Sequence, residues 1–399
     1  MTATLEAPAA LSGIRVLDFT QVFMGPCATQ LLGDYGAEII KVERPGSGDL
    51  TRTAIPDSAG LDNPLFLAIN RNKRSIAMDV RSPEGREIIY DLVKDVDVVV
   101  SNFRPGVMER LGFGYDRLRE INPQIIFASG SGFGETGPYV RKGGQDVIAQ
   151  AYSGVMWRRS SDEIPLNIYP TTLCDYTTGM HLFQGVLLAL FARERTGQGQ
   201  RLTVAMYDSM LHMQMQEAAM QLNRGYEVNW ATAPLTGVFE TQDSAIVMVG
   251  AFKENPLRDI SVALEIGEDL SLRPEFSTLQ AQYDHRPELQ EIFGERLRTN
   301  TTAYWIKRLE EQDLLCAPVR RLEETLDDEQ TAINDMVVEM QHPHAGTVRV
   351  VNAPVHLEST PARMYHVAPL LGGDGEQILR EHGYDDARIA GLREKGVLA

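Results

Sequence analysis

Short runs of β-branched and apolar residues alternate with longer helical segments through the first part of the chain. Five of these runs predict buried strands: IRVLDFT (14–20), EIIKVE (38–43), SIAMDV (75–80), VDVVVSN (96–102) and QIIFASG (124–130). Helices are predicted between them, over 27–37 and over 82–96, where Ser82 and Glu84 give a capping pattern. Strands separated by helices of this length favour right-handed crossovers and a parallel sheet with helices on both faces. The pattern therefore predicts an α/β fold with a Rossmann-like large domain.

The character of the sequence changes near residue 225. GVFETQDSAIVMVG (237–250) predicts a β-hairpin, and helices are predicted over 257–266, 287–298 and 302–313. We therefore predict a large domain over 1–225 and a smaller α+β domain over 226–329. The remaining residues, 330–399, contain a strand-like segment (347–357) and a predicted helix (376–383).

The composition restricts the partners of the protein. The 399 residues carry a formal net charge of −17, whereas binding to nucleic acid or to an anionic membrane requires a dominant basic face. The three cysteines are far apart and fit neither a disulfide framework nor a zinc site. The first residues lack the features of a secretory signal, and no segment approaches about 18 uncharged apolar residues. We expect a cytoplasmic protein without nucleic-acid or membrane partners.

Two motifs suggest cofactors but lack the necessary context. GFGETG (132–137) follows a predicted strand and matches the dinucleotide motif G-x-G-x-x-G. Pro138 and the polar residues after it do not open a helix, so a pyrophosphate would have no helix N-terminus to bind. HPH (342–344) offers two imidazoles without a third ligand nearby, which is typical of a surface loop. We expect neither a nicotinamide nor a metal cofactor.

CDYTTGMHLFQG (174–185) lies at the start of the strongest predicted helix, over 176–192. Aspartate is a favoured N-cap residue because its carboxylate accepts hydrogen bonds from the first amides, so spacing alone predicts Asp175 as the cap. Cys174 is a second candidate nucleophile, since a helix N-terminus can activate a thiol. His181 lies about two helical turns away, too far to take the thiol proton directly, so we predict a packing role for Cys174.

Five ordered blocks of the sequence resemble the family III CoA transferases. The most specific block runs from PTTLCDYTTGMHLFQG to RERTGQGQRLTVAMYDSML (170–211). The others lie at 11–49, 70–85, 101–113 and 305–319, and include DYGAEIIKVERPGSGD, NRNKRSIAMDV, SNFRPGVMERLGF and WIKRLEEQDLLCAPV. Because the blocks cover nearly the whole chain in order, they are more specific than any single motif.

The resemblance implies a fold and a site. Members of this family have a large Rossmann-like domain, which takes both ends of the chain, and a small domain, and they form interlocked dimers. Residues 330–399 are therefore expected to return to the large domain of a homodimer. The family's catalytic aspartate falls on Asp175. Its coenzyme A contacts fall on Phe23, Met24, Arg44, Met78, Arg81, Asn102, Phe103, Arg104, Arg110 and, with a looser match, Lys142.

The residues are consistent with this ligand. The four arginines follow predicted strands, and the carboxyl ends of strands are where open α/β sheets bind ligands. An acidic chain can therefore still hold the phosphates of coenzyme A locally, although each arginine taken alone is equally consistent with a solvated rim.

The implied reaction moves CoA from a donor acyl-CoA to an acceptor carboxylic acid, through a mixed anhydride and an aspartyl-CoA thioester on Asp175. A cap position would suit this residue, because amides and the helix dipole would lower its pKa and keep it ionised. Amides at the helix start or in the GFGETG loop are candidates for the oxyanion donors. The mechanism requires no metal ion.

Two alternatives remain at the level of sequence. The 2-methylacyl-CoA racemases of the same superfamily carry a histidine before an aspartate, whereas this chain has Gln145, which cannot act as a base. A CoA-binding protein without transferase activity is the second alternative. The acceptor acid is also open: oxalate-using members have glutamine where this chain has Phe23, and a glycine run in the small domain that is missing here. These departures indicate a larger or less polar acceptor, for example a dicarboxylate or a carboxylate that bears a second polar group.

Overall fold

The computed structural model describes residues 8–54 and 63–399. In these residues six strands form a parallel sheet in the order β3-β2-β1-β4-β5-β6. The strands are β1 (Arg15–Asp18), β2 (Glu38–Glu43), β3 (Lys73–Ala77), β4 (Val98–Ser101), β5 (Ile126–Ser131) and β6 (Arg201–Ala205). The predicted α/β, Rossmann-like class is confirmed. Because the strand order reverses at β1, the turns after β1 and β4 border the crevice in which such sheets bind ligands.

Alternate residues of the strands face two apolar cores on opposite sides of the sheet, as the two-residue period of a strand requires. Val16, Ile39, Val98 and Ile126 belong to one core, and their successors Leu17, Ile40, Val99 and Phe127 belong to the other. The helices among the residues described up to Met213 are α1 (Met24–Asp34), α2 (Pro64–Ile69), α3 (Pro83–Val93), α4 (Val107–Leu111), α5 (Tyr115–Ile121), α6 (Asp146–Tyr152), α7 (Leu173–Thr196) and α8 (Met206–Met213).

The described residues divide into two compact units. The first takes the chain up to Val155, together with Ile168–Gln214 and Ala332–Ala399; the second takes Met156–Asn167 and Met215–Thr331. The C-terminal residues in the first unit attach to β3, since Ser75 N donates to Asp374 (2.8 Å) and Ala399 N donates to Ala77 O (3.0 Å). The predicted domain boundaries at 225/226 and 329/330 stay a prediction.

The second unit has its own apolar core, which includes Phe239, Ile246, Phe293 and Trp305. Its described strands form an antiparallel sheet in the order β7-β8-β9. From residue 215 to the end of this unit the elements are α9 (Met215–Arg224), β7 (Thr236–Glu240), β8 (Ala245–Val249), α10 (Pro256–Ala263), α11 (Leu279–Asp284), α12 (Arg286–Leu297), α13 (Thr302–Glu310), β9 (Leu315–Pro318) and α14 (Leu322–Leu326). Helix α15 (Glu329–Ile333) crosses the boundary at Thr331. The first unit then contains β10 (Val337–His342), β11 (Gly346–Val351), α16 (Gly375–Glu381) and α17 (Asp386–Glu394). Short 3-10 turns lie at Leu50–Arg52, Val155–Trp157, Trp230–Thr232, Leu270–Leu272 and Pro274–Phe276.

Three local predictions need correction. Strand β3 begins at Lys73, two residues before the predicted start, because the Lys73 ammonium is buried against Asp18 (3.1 Å) and apolar patterning does not anticipate a charged residue there. The segment 347–357 is a strand only to Val351, since Pro354 has no N–H to donate to a ladder. His342, predicted to lie in a surface loop, is buried instead. Its Nδ1 accepts hydrogen bonds from the amides of His344 (3.3 Å) and Ala345 (3.0 Å) in the β10–β11 turn.

Among the described residues, no helix is both long enough and apolar enough to cross a membrane.

Candidate active site

A cavity of about 350 Å³ lies at the carboxyl ends of the central strands. Its walls come from the turns after β1, β4 and β5, from the 140–145 segment and from the first turn of α7, which contributes Asp175. The predicted coenzyme A contacts that line this cavity are Phe23, Met24, Asn102, Phe103, Arg104 and Lys142. The fold therefore brings residues that are up to about 150 positions apart around one carboxylate, as the crevice of an open α/β sheet does.

A second cavity, of about 380 Å³, shares Gln21, Phe103 and Arg104 with the first. The predicted contacts that line it are Arg44, Met78, Arg81, Phe103 and Arg104. The shared residues make the two cavities neighbours, so a long ligand can occupy both. Arg110 lies in the last turn of α4, where it is exposed and lines neither of these cavities.

Cationic side chains border both cavities. Arg81 forms an ion pair with Asp79 (2.9 Å), and the pKa of Asp79 is lowered mainly by that hydrogen bond. The Lys142 ammonium lies 5.4 Å from the ring centroids of Tyr139 and Tyr152, and its contact with Tyr152 raises its pKa. An exposed guanidinium or ammonium of this kind binds phosphate or carboxylate oxygens.

The wall formed by residues 132–144 is a loop whose two ends touch. A Cβ atom placed on Gly132 would come within 2.4 Å of Gly144 Cα, so only glycine permits this approach. Within the loop, Phe133 packs edge-on against Tyr139 and Tyr152, with ring centroids 5.6 and 5.0 Å apart. The GFGETG motif therefore forms part of a cavity wall, and helix α6 begins only at Asp146.

Asp175 is not the N-cap of its helix, contrary to the prediction from spacing. Helix α7 begins at Leu173 with Thr172 as the N-cap, so Asp175 lies within the first turn. The first amides are bound instead by Asp146, whose Oδ2 accepts from Cys174 N (2.7 Å) and from Asp175 N (2.9 Å). The other oxygen of Asp146 accepts from Gln150 Nε2 (2.7 Å). These two α7 amides are therefore already engaged, which removes them as candidates for the oxyanion donors.

The pKa of Asp175 is raised from 3.8 to about 7, first by burial and then by the negative charge of Asp146. The prediction of a lowered pKa was wrong because the stabilising amides are bound to the neighbouring carboxylate. The thiol of Cys174 is buried, and its pKa is raised to about 12 by burial and by both aspartates. A thiol in such surroundings stays protonated and unreactive, so Asp175 is the better nucleophile of the two.

Asn102 contacts protein backbone in the structure. Its side-chain oxygen accepts from Gln21 N (2.9 Å) and its nitrogen donates to Gln21 O (2.7 Å), which fixes the turn after β1. Met24, the first residue of α1, lies against two glycines. A Cβ on Gly130 would meet the Met24 sulfur at 2.5 Å, and a Cβ on Gly179 would meet the Met24 carbonyl oxygen at 2.7 Å. Helices α1 and α7 are thereby held close together at the floor of the cavity.

Asp146 is the site residue that sequence reasoning missed. It stands beside Gln145, on which the sequence argument against a racemase rests, yet its contact with α7 crosses 29 sequence positions. The adjacent Gln145 caps α6, with Oε1 accepting from Val147 N (2.9 Å). Within the described residues, no group of three or more histidine, cysteine, aspartate or glutamate side chains is arranged to hold a metal ion.

Comparison with known proteins identifies the class that this fold and site define. The family model described as CoA-transferase family III matches residues 11–375. The chain belongs to the family III CoA-transferases and is an enzyme that uses CoA thioesters as substrates.

Curated relatives have similar lengths. An acyl-CoA transferase of Fusarium pseudograminearum (strain CS3096) is 38% identical over 98% of this chain and 88% of its own length. A formyl-CoA:oxalate CoA-transferase of Streptomyces coelicolor is 34% identical over 98% and 99%, and the succinyl-CoA:glutarate CoA-transferase of Homo sapiens is 33% identical over 97% and 90%. A crystal structure of a CAIB/BAIF family protein from Brucella suis matches with a TM-score of 0.84 and 29% identity, covering 94% of this chain and 100% of that protein.

Proposed function

We propose that the protein moves CoA from a donor acyl-CoA thioester to an acceptor carboxylic acid, with Asp175 as the nucleophile. The observation that carries this proposal is the position of Asp175. Its carboxylate lines a cavity that adjoins a second, arginine-bordered cavity, so an acyl-CoA can place its thioester at Asp175 and its phosphates near Arg44, Arg81 and Arg104.

The first half of the proposed reaction loads the enzyme. A carboxylate oxygen of Asp175 attacks the thioester carbonyl, the C–S bond breaks, and CoA leaves as a thiolate from a mixed anhydride. The thiolate then attacks the aspartyl carbonyl of that anhydride. The anhydride C–O bond breaks, giving an aspartyl-CoA thioester and the free donor carboxylate.

The second half repeats these steps in reverse with the acceptor acid. The acceptor carboxylate attacks the aspartyl thioester and again expels the CoA thiolate, which leaves a second anhydride. The thiolate attacks the acceptor acyl carbon, so that the new acyl-CoA forms and Asp175 regains its carboxylate. A carboxylate whose charge is disfavoured by burial is more basic, and therefore more nucleophilic, than a solvated one.

Trapping of the intermediates tests the proposal. The protein is incubated with an acyl-CoA, treated with borohydride or hydroxylamine, and digested for mass spectrometry. We expect loss of activity only in the acyl-CoA-treated sample, with the modification mapped to Asp175. An adduct on Cys174 would contradict the proposal, and the absence of any adduct would favour a CoA-binding protein without transferase activity.

The racemase alternative has a separate test. Racemisation removes a proton from the α-carbon, and the side chain of Gln145 cannot accept that proton. We expect no exchange of the α-proton of a 2-methylacyl-CoA when the enzyme is incubated with it in heavy water. Enzyme-dependent deuterium incorporation at that carbon would favour the racemase.

The pH dependence of the first step follows from the raised pKa of Asp175. Only the ionised carboxylate attacks, so we expect the rate of adduct formation to rise with pH, with a midpoint near 7. Asp146→Asn keeps an oxygen for the α7 amides but removes the charge, so it should move the midpoint to lower pH. Burial, the larger cause, remains, so the midpoint should stay above 3.8.

A matched control for this prediction is Glu135→Gln. Glu135 lies in the 132–144 loop, pairs with Arg201, and does not line the cavity. Stopped-flow measurement of adduct formation between pH 5 and 9 on both variants shows whether the midpoint responds to the charge of Asp146 in particular or to the loss of any nearby carboxylate. A midpoint that moves equally in both variants, or that moves upward in Asp146→Asn, would contradict the assignment of Asp146.

Arg104 borders both cavities and is therefore the best single probe of CoA binding. Arg104→Gln removes a charge-assisted hydrogen bond worth about 1.5 to 3 kcal/mol, so the KM for acyl-CoA should rise by roughly 10- to 100-fold with little change in kcat. Arg110, the predicted contact that lines neither cavity, gives the comparison: if it lies outside the CoA site, Arg110→Gln should change the KM by less than about threefold. If steady-state kinetics show an equal rise in the KM for acyl-CoA in both variants, the phosphates bind along α4 instead.

The acceptor acid is proposed to be larger or less polar than oxalate. Phe23 lines the cavity at the position where oxalate-using members have glutamine, and one similar human enzyme is named for glutarate. A screen of carboxylic acids against succinyl-CoA and acetyl-CoA identifies the acceptor. Efficient turnover of oxalate would overturn the proposal.

We also propose that the protein is a homodimer, as the family resemblance implies. A solution mass equal to the single 44.4 kDa chain by light scattering would contradict this.

A further inference from the structure

The turn after β1 is held through successive backbone amides by side chains from different parts of the sheet. Thr20 N donates to Asp18 Oδ1 (2.8 Å), Gln21 N to Asn102 Oδ1 (2.9 Å), and Val22 N to Asp49 Oδ1 (3.2 Å). Gln21, Val22, Phe23 and Met24 then line the cavity that contains Asp175. The conformation of this turn therefore sets the shape of one cavity wall.

Val22 adopts a conformation that its side chain disfavours. Its φ of +68° lies in the left-handed region, which a β-branched residue rarely enters. The residue is 42% exposed, so close packing around its side chain does not enforce the conformation. Strained backbone persists where the surrounding structure over-determines it, and the bond from Val22 N to Asp49 supplies that restraint.

Asp49 is itself fixed by buried partners. Its Oδ2 lies 2.8 Å from Lys41 Nζ, with both side chains fully buried. Its Oδ1 also accepts from Thr51 N (2.9 Å) and Thr51 Oγ1 (2.8 Å), and its own N–H donates to Glu43 (2.9 Å). Lys41 in turn donates to Thr20 O (2.8 Å). The ion pair therefore contacts the turn twice, through Lys41 at Thr20 and through Asp49 at Val22.

We infer that Asp49 is a positioning residue for acyl-CoA binding. It holds the strained Val22 turn, with Lys41 as its buried counter-charge, and thereby presents Phe23 and Met24 to the ligand. The inference rests on the proposed CoA site but not on the aspartyl chemistry, because Asp49 acts through the turn and not on the reacting atoms.

The test is a double-mutant cycle on Asp49 and Val22, read by calorimetric binding of CoA. Asp49→Asn has one oxygen where the carboxylate has two, so either Val22 N–H or Lys41 Nζ must face an NH₂ group. We expect the Kd for CoA to rise by about tenfold or more. Glycine adopts a φ of +68° without strain, so in the Val22→Gly background the same substitution should raise the Kd by less than about threefold.

Kinetics separate positioning from partial unfolding. A smaller folded fraction would lower the apparent kcat and leave the KM unchanged, whereas a displaced turn raises the KM for acyl-CoA and leaves kcat within about threefold. Asp49→Glu, which keeps the charge opposite Lys41 but moves its oxygens away from Val22 N, replaces Asp49→Asn if that variant does not fold. Its Kd for CoA should rise similarly.

The outcomes are distinct. An unchanged Kd in Asp49→Asn, or an equal loss in the Val22→Gly background, would overturn the positioning role. Failure of the wild-type protein to bind CoA at all would overturn the proposed CoA site and, with it, the positioning role. A protein that binds CoA, shows the expected cycle, and forms no adduct on Asp175 would retain the positioning role while the proposed transferase chemistry fails.

Discussion

Asp175→Asn should abolish CoA transfer, with turnover lower by about three to five orders of magnitude. The carboxamide keeps the size of the side chain, but it is a poor nucleophile and cannot form the anhydride. The trapped adduct should disappear together with the activity. Turnover is measured by chromatography of the acyl-CoA product. Residual activity above about 10% of the wild type would contradict the nucleophilic role of Asp175.

Cys174→Ala is the matched control for this substitution. Cys174 is the neighbouring residue, is fully buried, and carries a thiol whose pKa is raised to about 12. Its replacement removes one sulfur from the core, so a small loss of stability and near-normal kcat are expected. A loss of turnover in Cys174→Ala as large as that in Asp175→Asn would make the cysteine the nucleophile.

The same Asp175→Asn variant should be more stable than the wild type at high pH. The pKa of Asp175 in the folded protein, about 7, lies above its ordinary 3.8, so the folded state holds the proton more tightly than the unfolded state. Ionisation therefore costs stability, beginning above pH 3.8 and reaching its full extent above pH 7. At pH 8 the gain should be on the order of 4 kcal/mol, and below pH 4 it should vanish. Denaturant unfolding at the two pH values also shows that the inactive variant is folded.

The second large effect is a loss of stability at the central sheet, where Lys73 of β3 and Asp18 of β1 form a fully buried ion pair (3.1 Å). Lys73 also donates to Thr29 Oγ1 (2.8 Å), Asn70 Oδ1 (3.0 Å) and Pro26 O (3.1 Å). Lys73→Met should lower the free energy of unfolding by about 3 to 5 kcal/mol, because it leaves the Asp18 carboxylate without its buried partner.

The double variant Asp18→Asn/Lys73→Met separates the charge effect from packing. The double variant removes both charges of the pair, so no buried charge is left without its partner. It should therefore be more stable than Lys73→Met alone. Denaturant titration of the single and double variants gives both quantities. A loss below about 1 kcal/mol in Lys73→Met would show that Lys41 and the neighbouring amides compensate for Asp18.

Much of the fold was readable from the sequence because the strands carry its strongest pattern. The predicted runs at 14–20, 38–43, 96–102 and 124–130 all contain observed strands, since apolar, β-branched residues face both cores. Lys73 marks the limit of that pattern. A charge can enter a buried strand when a distant side chain neutralises it, and no local periodicity records that partner.

The candidate site was predictable in its location but not in its electrostatics. Spacing placed Asp175 near a helix start, and the family resemblance gave it a chemical role. The raised pKa of Asp175 comes first from burial and then from the charge of Asp146, which also binds the amides of α7 from 29 positions away. Likewise, Val22 adopts a left-handed conformation that valine disfavours, and its N–H donates to Asp49, 27 positions away. Such tertiary contacts become visible only when the chain is folded.

The loop whose ends meet at Gly132 and Gly144 distinguishes substitutions at these two glycines from substitutions between them. The glycine contact fixes the distance between the two ends of the loop, and eleven positions, 133–143, lie between them. Strand β5 and helix α6, which carries Asp146, therefore keep their places when this wall is remodelled. A substitution at either glycine would move β5 relative to α6, whereas a substitution between them changes only the wall that includes Phe133 and Lys142.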